Sequence, residues 1–336
     1  MTSGNIDKIN QKFARYATND NISGLTTFLF SETTFEQINI GEISTGAGLS
    51  INNDTLFEIG SLTKPIIASL YSIFESKKII DFQKSISYYL KGKYKLNPIF
   101  DLFKIEDILT HTSGLPRLPV MFLSKMNNSD NPYSVLNRAD MEKFFMEPEG
   151  ITKPGRYNYS NLGYGILGEI LKTIFSASLD ELTGTYLFAE ANMVRTGTLK
   201  KFSGDKNIAT GYTNKNQVSP FWTGDVLDGA GCFLSTNNDM AEFLKLNLGY
   251  YDTPITDAIL KTHAPRTKNI GLGWHNKNGI LSKLLGYSGF TWHNGMTGGF
   301  SSYIAFNQKK KSGIVLMANK ATPLDSYFYY YSSYVQ

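Results

Sequence analysis

The segment that most constrains this chain is the apolar run Ile66-Ile67-Ala68-Ser69-Leu70, which lies inside a helical pattern extending from Leu62 to Ser76. A helix with so little polar surface cannot lie against water, so it must be buried between two bodies of protein. The chain has the material for this. At 336 residues it is about twice the usual single-domain length, enough for one large domain or two packed subdomains. Upstream, Ile6, Ile9, Phe13 and Tyr16 recur at helical spacing, and Gly24–Ser31 and Thr33–Ile43 read as two β-type runs, a helix followed by a hairpin.

From Ser61 to about Phe202 the pattern turns helical, with candidate helices at Leu62–Ser76, Ile105–Thr110, Ala139–Phe145 and Leu162–Phe175 between loops rich in Pro and Gly. Near the end, Gly271–His275, Leu281–Tyr287, Ser302–Asn307 and Gly313–Asn319 read as strands, with Lys309-Lys310-Lys311 as a solvated hairpin turn and Ser326–Tyr334 as a closing helix. No repeat is evident. The expected fold is α/β (α+β): an antiparallel sheet flanked by N- and C-terminal helices, built from residues 1–76 and 208–336. Residues 77–207 form an inserted, mainly helical subdomain, and a ligand site is expected at the junction.

Composition narrows the function classes. Hydrophobic residues make up 41% and charged residues 18%, which argues against disorder and coiled coil. Net charge is only +4 with the lysines dispersed, so nucleic acid is not an expected partner; a small molecule or peptide is. Cys232 is the single cysteine, so an internal disulfide is excluded. His111, His263, His275 and His293 lack metal-motif spacing, and neither a metal nor another cofactor is expected. No stretch approaches the roughly 18 apolar residues of a membrane span. The start Met1-Thr2-Ser3-Gly4-Asn5 does not read as a signal peptide. A cytoplasmic location is expected if Met1 is native, and an extracytoplasmic one if a leader was removed. Oligomeric state stays open.

Chemistry concentrates in three short motifs. Ser61-Leu62-Thr63-Lys64 sets a hydroxyl and an amine on one helical face, where a desolvated lysine can serve as the base that a serine nucleophile needs. The helix start also offers a backbone N–H to an oxyanion. Ser203-Gly204-Asp205-Lys206 repeats the spacing, but in a polar stretch without helical periodicity. Tyr159-Ser160-Asn161, after Pro154-Gly155 and at the entry to Leu162–Phe175, presents a phenol and an amide together. Cations beside Tyr159 would favour its charged form and let it shuttle a proton. Tyr212-Thr213-Asn214 repeats this triplet too. In Thr291-Trp292-His293-Asn294-Gly295-Met296 the glycine would let a substrate backbone approach a strand, with His293 on the same side. Each motif has an ordinary structural reading: a helix cap, a packed tyrosine, an edge glycine.

Ser61-x-x-Lys64, Tyr159-x-Asn161 and His293-x-Gly295, in this order, resemble the class C β-lactamase and penicillin-binding-protein superfamily. Supporting segments are Leu109-Thr110-His111-Thr112-Ser113-Gly114-Leu115, Gly229-Ala230-Gly231 and Gly271-Leu272-Gly273-Trp274. The resemblance implies Ser61 as nucleophile, Lys64 as base or relay, Tyr159 as general acid and base, Asn161 as a positioning group, and Ser61 and Met296 N–H groups as oxyanion hole. It implies that His111 shapes a loop. The histidine form of the third motif is similar to that of D-alanyl-D-alanine peptidases, D-aminopeptidases and esterases. That form implies at most weak β-lactamase activity, and Asn294, in place of the hydroxyl residue that helps hold a carboxylate, counts against recognition of a free carboxylate end. The implied activity is acyl-enzyme hydrolysis of amides or esters. A sensor that acylates without turnover and an acyltransferase are the alternatives.

Overall fold

The computed structural model describes residues 3–31, 34–127, 129–277 and 288–335. The helix α1 (Ser3–Asn19) leads into the hairpin β1 (Gly24–Ser31) and β2 (Thr34–Gly41). A short strand β3 (Phe57–Glu58) precedes the helix α2 (Thr63–Ser76). The middle of the chain supplies α3 (Ile105–Leu109), α4 (Arg138–Met146) and α5 (Asn161–Phe175). After β4 (Phe233–Ser235) and α6 (Asn237–Asn247) come β5 (His275–Lys277), β6 (Phe290–Met296), β7 (Ser301–Asn307) and β8 (Ser312–Ala318), closed by α7 (Asp325–Ser332).

Six strands form one antiparallel sheet in the order β2-β1-β8-β7-β6-β5, so the two ends of the chain meet in its middle, where β1 pairs with β8. Both faces are covered. Side chains alternate along β8: Ile314, Leu316 and Ala318 pack with Ile9, Phe13, Tyr327 and Phe328 of α1 and α7, while Val315 and Met317 join the larger core that contains α2. That is why Gly313–Ala318 reads as an unbroken apolar run. The Lys309–Lys311 triplet lies in the exposed turn between β7 and β8.

Every residue of α2 from Thr63 to Phe74 is buried, and the helix packs against α5 and the segments Asp228–Gly231 and Thr256–Lys261. The nearly featureless apolar surface of this helix is matched by protein on all sides. One strand expectation fails. Within Gly271–His275 only His275 enters a strand, because Gly273 sits at φ +72 and its Cα packs on α2, where an added Cβ would stand 2.9 Å from the Ala68 Cβ and 3.2 Å from the Lys64 carbonyl. The expected strand Leu281–Tyr287 lies outside the described residues.

Leu70 is fully buried at the centre of this packing. Leu70→Ala should destabilise the protein by about 3 kcal/mol through lost transfer energy and the cavity left behind. Urea denaturation followed by far-UV circular dichroism measures this, and a loss below about 1 kcal/mol would show that α2 is not the central packing element.

Candidate active site

The site begins at a tight turn between β3 and α2. Ile59 N donates to Phe233 O at 3.0 Å, Gly60 takes φ +48, and Thr63 Oγ1 donates back to Gly60 O at 2.8 Å. Ser61 therefore sits in a single 3-10 turn at the mouth of α2, half-buried, and no side chain caps the helix there. Its hydroxyl faces Lys64 instead, Oγ to Nζ 3.0 Å, and the same Nζ donates to Ala230 O at 2.5 Å.

Lys64 is fully buried, and among the described residues no carboxylate forms an ion pair with it. Burial, reinforced by the Arg117 cation, holds its ammonium well below the ordinary lysine value, with a smaller opposing pull from Cys232. Burial also raises the Cys232 thiol far above its usual value. That thiol is uncharged at neutral pH, so its opposing pull is absent there. Burial thus favours the uncharged amine in contact with a serine hydroxyl.

Tyr159 and Asn161 flank Ser160, the N-cap of α5, whose Oγ accepts from Gly163 N at 2.9 Å and donates to Pro116 O at 2.6 Å. His111, at φ +57, accepts Ser160 N on Nδ1 at 3.1 Å and Asn158 N on its carbonyl at 2.7 Å. Its ring lies 4.4 Å from that of Tyr159. So His111 braces the loop from behind. The Lys64 ammonium nitrogen lies 4.9 Å and the Arg117 guanidinium 5.2 Å from the Tyr159 ring centroid. The expectation that these cations favour a phenolate is corrected by burial, which pushes the Tyr159 hydroxyl above its usual value despite a hydrogen bond to Ser61 and the charge of Arg117. Tyr159 is a neutral phenol at rest.

The third wall is the edge of β6. Thr297 N donates to Phe300 O at 3.0 Å, so Gly295 and His293 are the residues bonded to their β7 partners Ser302 and Ile304. Alternation turns the backbone N–H groups of Asn294 and Met296 to the opposite edge, past the point where β5 ends with His275 opposite Trp292. An added Cβ on Gly60 would stand 2.8 Å from Met296 N, and one on Gly295 3.0 Å from Ser61 N and 2.1 Å from Ile59 O. The backbones of Gly60–Ser61 and Gly295–Met296 thus lie in close contact. Gly295 is required by close approach of its own chain at Ile59–Ser61, not by a substrate backbone as its sequence context suggests.

His293 is buried, with Nδ1 on Asn294 O at 2.7 Å, so Nδ1 carries the proton and Nε2 a lone pair. Burial and the neighbouring His275 and Lys64 hold it well below the usual value. Its ring stands 6.2 Å from Tyr159 and 5.3 Å from His275. Among the described residues, His111 Nε2, Asn161 Oδ1 and His293 Nε2 are buried without a hydrogen-bond partner, and such atoms gather where a ligand or water is handled. Asn294 and Met296 side chains are exposed at the rim.

The motif segments Ser61–Lys64, Tyr159–Asn161 and His293–Met296 are therefore brought together in the fold. The repeated spacings are not: Ser203 and Lys206 are exposed, and Tyr212 is tied to Ser44 Oγ at 2.9 Å and Thr45 N at 2.8 Å. Sequence reading passed over Arg117, the Ala230 carbonyl and His275, which burial pushes down to about 4. Arg117 and Ala230 lie in or beside segments already singled out, but a backbone carbonyl or a guanidinium above a ring has no motif.

A family model described as Beta-lactamase matches residues 39–331. A β-lactamase of Providencia stuartii is 22% identical over 323 residues, covering 82% of this chain and 77% of that protein. A class C β-lactamase structure superposes with a TM-score of 0.85 at 22% identity, covering 99% and 97% of the two chains. The β-lactamase/D-alanine carboxypeptidase from Pseudomonas syringae gives 0.83 at 22% identity, covering 98% and 99%.

Because the Arg117 charge helps depress Lys64, Arg117→Gln should let the Lys64 value rise. If neutral Lys64 is the active form, the acid limb of the kcat/KM profile for a nitrophenyl ester should move to higher pH. The position of the limb is the readout, and an unmoved limb would remove Arg117 from the electrostatics of Lys64.

Proposed function

Because this chain belongs to the β-lactamase family and shares its fold over nearly all of its length, we propose that it is a serine hydrolase that forms an acyl-enzyme on Ser61. The observation that carries this reading is the fully buried Lys64, without a carboxylate partner and 3.0 Å from Ser61 Oγ. A neutral amine can give one N–H to Ala230 O and leave its lone pair for the serine proton. Ser61 Oγ attacks the carbonyl carbon, its proton passes to Lys64, and the oxyanion accepts from the N–H groups of Ser61 and Met296. Tyr159, a phenol in reach of Ser61, protonates the leaving nitrogen or oxygen as the tetrahedral adduct collapses. The phenolate formed is reprotonated from the Lys64 ammonium. Water then enters by the reverse sequence and leaves with the acyl group as a carboxylic acid.

Asn161, at the first turn of α5, and His293, with its bare Nε2, face the bound acyl group and assist in orienting it. The preferred substrates are D-amino-acid peptides, in a carboxypeptidase-like reaction, or small esters, with β-lactams turned over weakly. The histidine on β6 in place of a lysine supports this preference, while an exposed Asn294, where a hydroxyl would help grip a carboxylate, favours esters and peptides over substrates held by a free carboxylate.

Ser61→Ala should lower ester or D-peptide turnover at least about 1000-fold and abolish the mass adduct left by a fluorophosphonate. Unchanged turnover in that variant would end the proposal. Tyr159→Phe should lower kcat far more than it raises KM. An adduct that persists for hours in wild type would replace the hydrolase with an acylating sensor.

A further inference from the structure

One ionisable group beneath the site is unused by the chemistry above. Glu58, in β3 and three residues before Ser61, is 2% exposed. Its Oε2 accepts from Thr297 Oγ1 at 2.6 Å, and its Oε1 accepts from the backbone N–H of Trp222. These bonds join three separate segments. The first leads into the Ser61 turn, the second follows Met296 at the end of β6, and the third is the loop whose Trp222 ring packs 4.9 Å from Tyr133. Burial pushes the carboxyl up to about 7 even though both hydrogen bonds pull it down. In turn its charge helps raise the Cys232 thiol, which is uncharged at neutral pH. An acid kept dry at this cost, with no cation among the described residues in an ion pair with it, is a poor device for stability alone.

We propose that Glu58 is a positioning residue: it fastens the end of β6 to the Ser61 turn and so sets the separation between the Ser61 and Met296 N–H groups. The geometry leaves little slack. Ile59 O already accepts from Ser302 Oγ at 2.7 Å on β7, and hypothetical Cβ atoms on Gly60 and Gly295 would fall within 3.0 Å of Met296 N and Ser61 N. Glu58 to Thr297 is the bond from the same strand to the residue next to Met296. Misplacing one oxyanion donor by a fraction of an ångström weakens the transition state more than the bound substrate. The proposal rests on Ser61 being the nucleophile.

The side-chain amide of glutamine can reproduce both bonds, its oxygen accepting from Trp222 N–H and its NH2 donating to Thr297 Oγ1. Alanine can make neither. In steady-state hydrolysis of a nitrophenyl ester, Glu58→Ala should lower kcat about 10- to 100-fold with KM within about 3-fold, and Glu58→Gln should restore kcat to within about 3-fold of wild type. Should the alanine variant fail to fold, Thr297→Val removes only the hydroxyl donor and should lower kcat about 3- to 10-fold at unchanged KM. Wild-type kcat in Glu58→Ala or Thr297→Val, or a glutamine variant as impaired as alanine, would overturn the proposal. Ser61→Ala run in parallel separates the two readings. If it stays active, the nucleophile is wrong. If it is dead while Thr297→Val is normal, only the role of Glu58 falls.

Discussion

The structure turns on an amine taken out of water without a carboxylate to accompany it. Burying a charged lysine unpaired would cost several kcal/mol, and burial and the charge of Arg117 push Lys64 toward its neutral form. That choice explains the neighbourhood. Ala230 O offers an acceptor without supplying a charge, the one nearby thiol is itself kept protonated, and α2 is buried from Thr63 to Phe74 around the amine. A carboxylate at the position of Ala230 O would stabilise an ammonium and leave Ser61 without a base.

Close contact between the Ser61 turn and the edge of β6 is the second constraint, and glycine makes it possible. Gly60 takes a left-handed conformation with its Cα facing Met296 N, and Gly295 lies against Ile59 O and Ser61 N. Side chains at either position would separate the two segments. The sheet edge stays open at Asn294 and Met296 because β5 ends at His275.

Much of this was legible in the chain. The run from Ile66 to Leu70 demanded burial on all sides, and the alternation in Ser302–Asn307 and Gly313–Asn319 demanded a sheet, because hydrophobic periodicity is a local property. Ser61, Lys64, Tyr159 and His293 were singled out by residue type and order, and the repeat at Ser203 was set aside by its polar context, whereas the repeat at Tyr212 was separated only by the tertiary structure. What failed was whatever depends on burial. Tyr159 was expected to favour its charged form from the cations around it, yet desolvation outweighs them. Gly271–His275 has the composition of a strand, but the approach of α2 to Gly273 bends it away.

The sequence by itself determined which groups are chemically capable and which helices and strands carry them, since reactivity type and periodicity are written residue by residue. Tertiary structure alone decided their protonation and spacing. Glu58 and Lys64 share one stretch of chain while Arg117 and Ala230 come from two others, and no local pattern encodes the dielectric around an amine or the distance between two N–H groups. Those quantities exist only once distant segments have excluded water from one another.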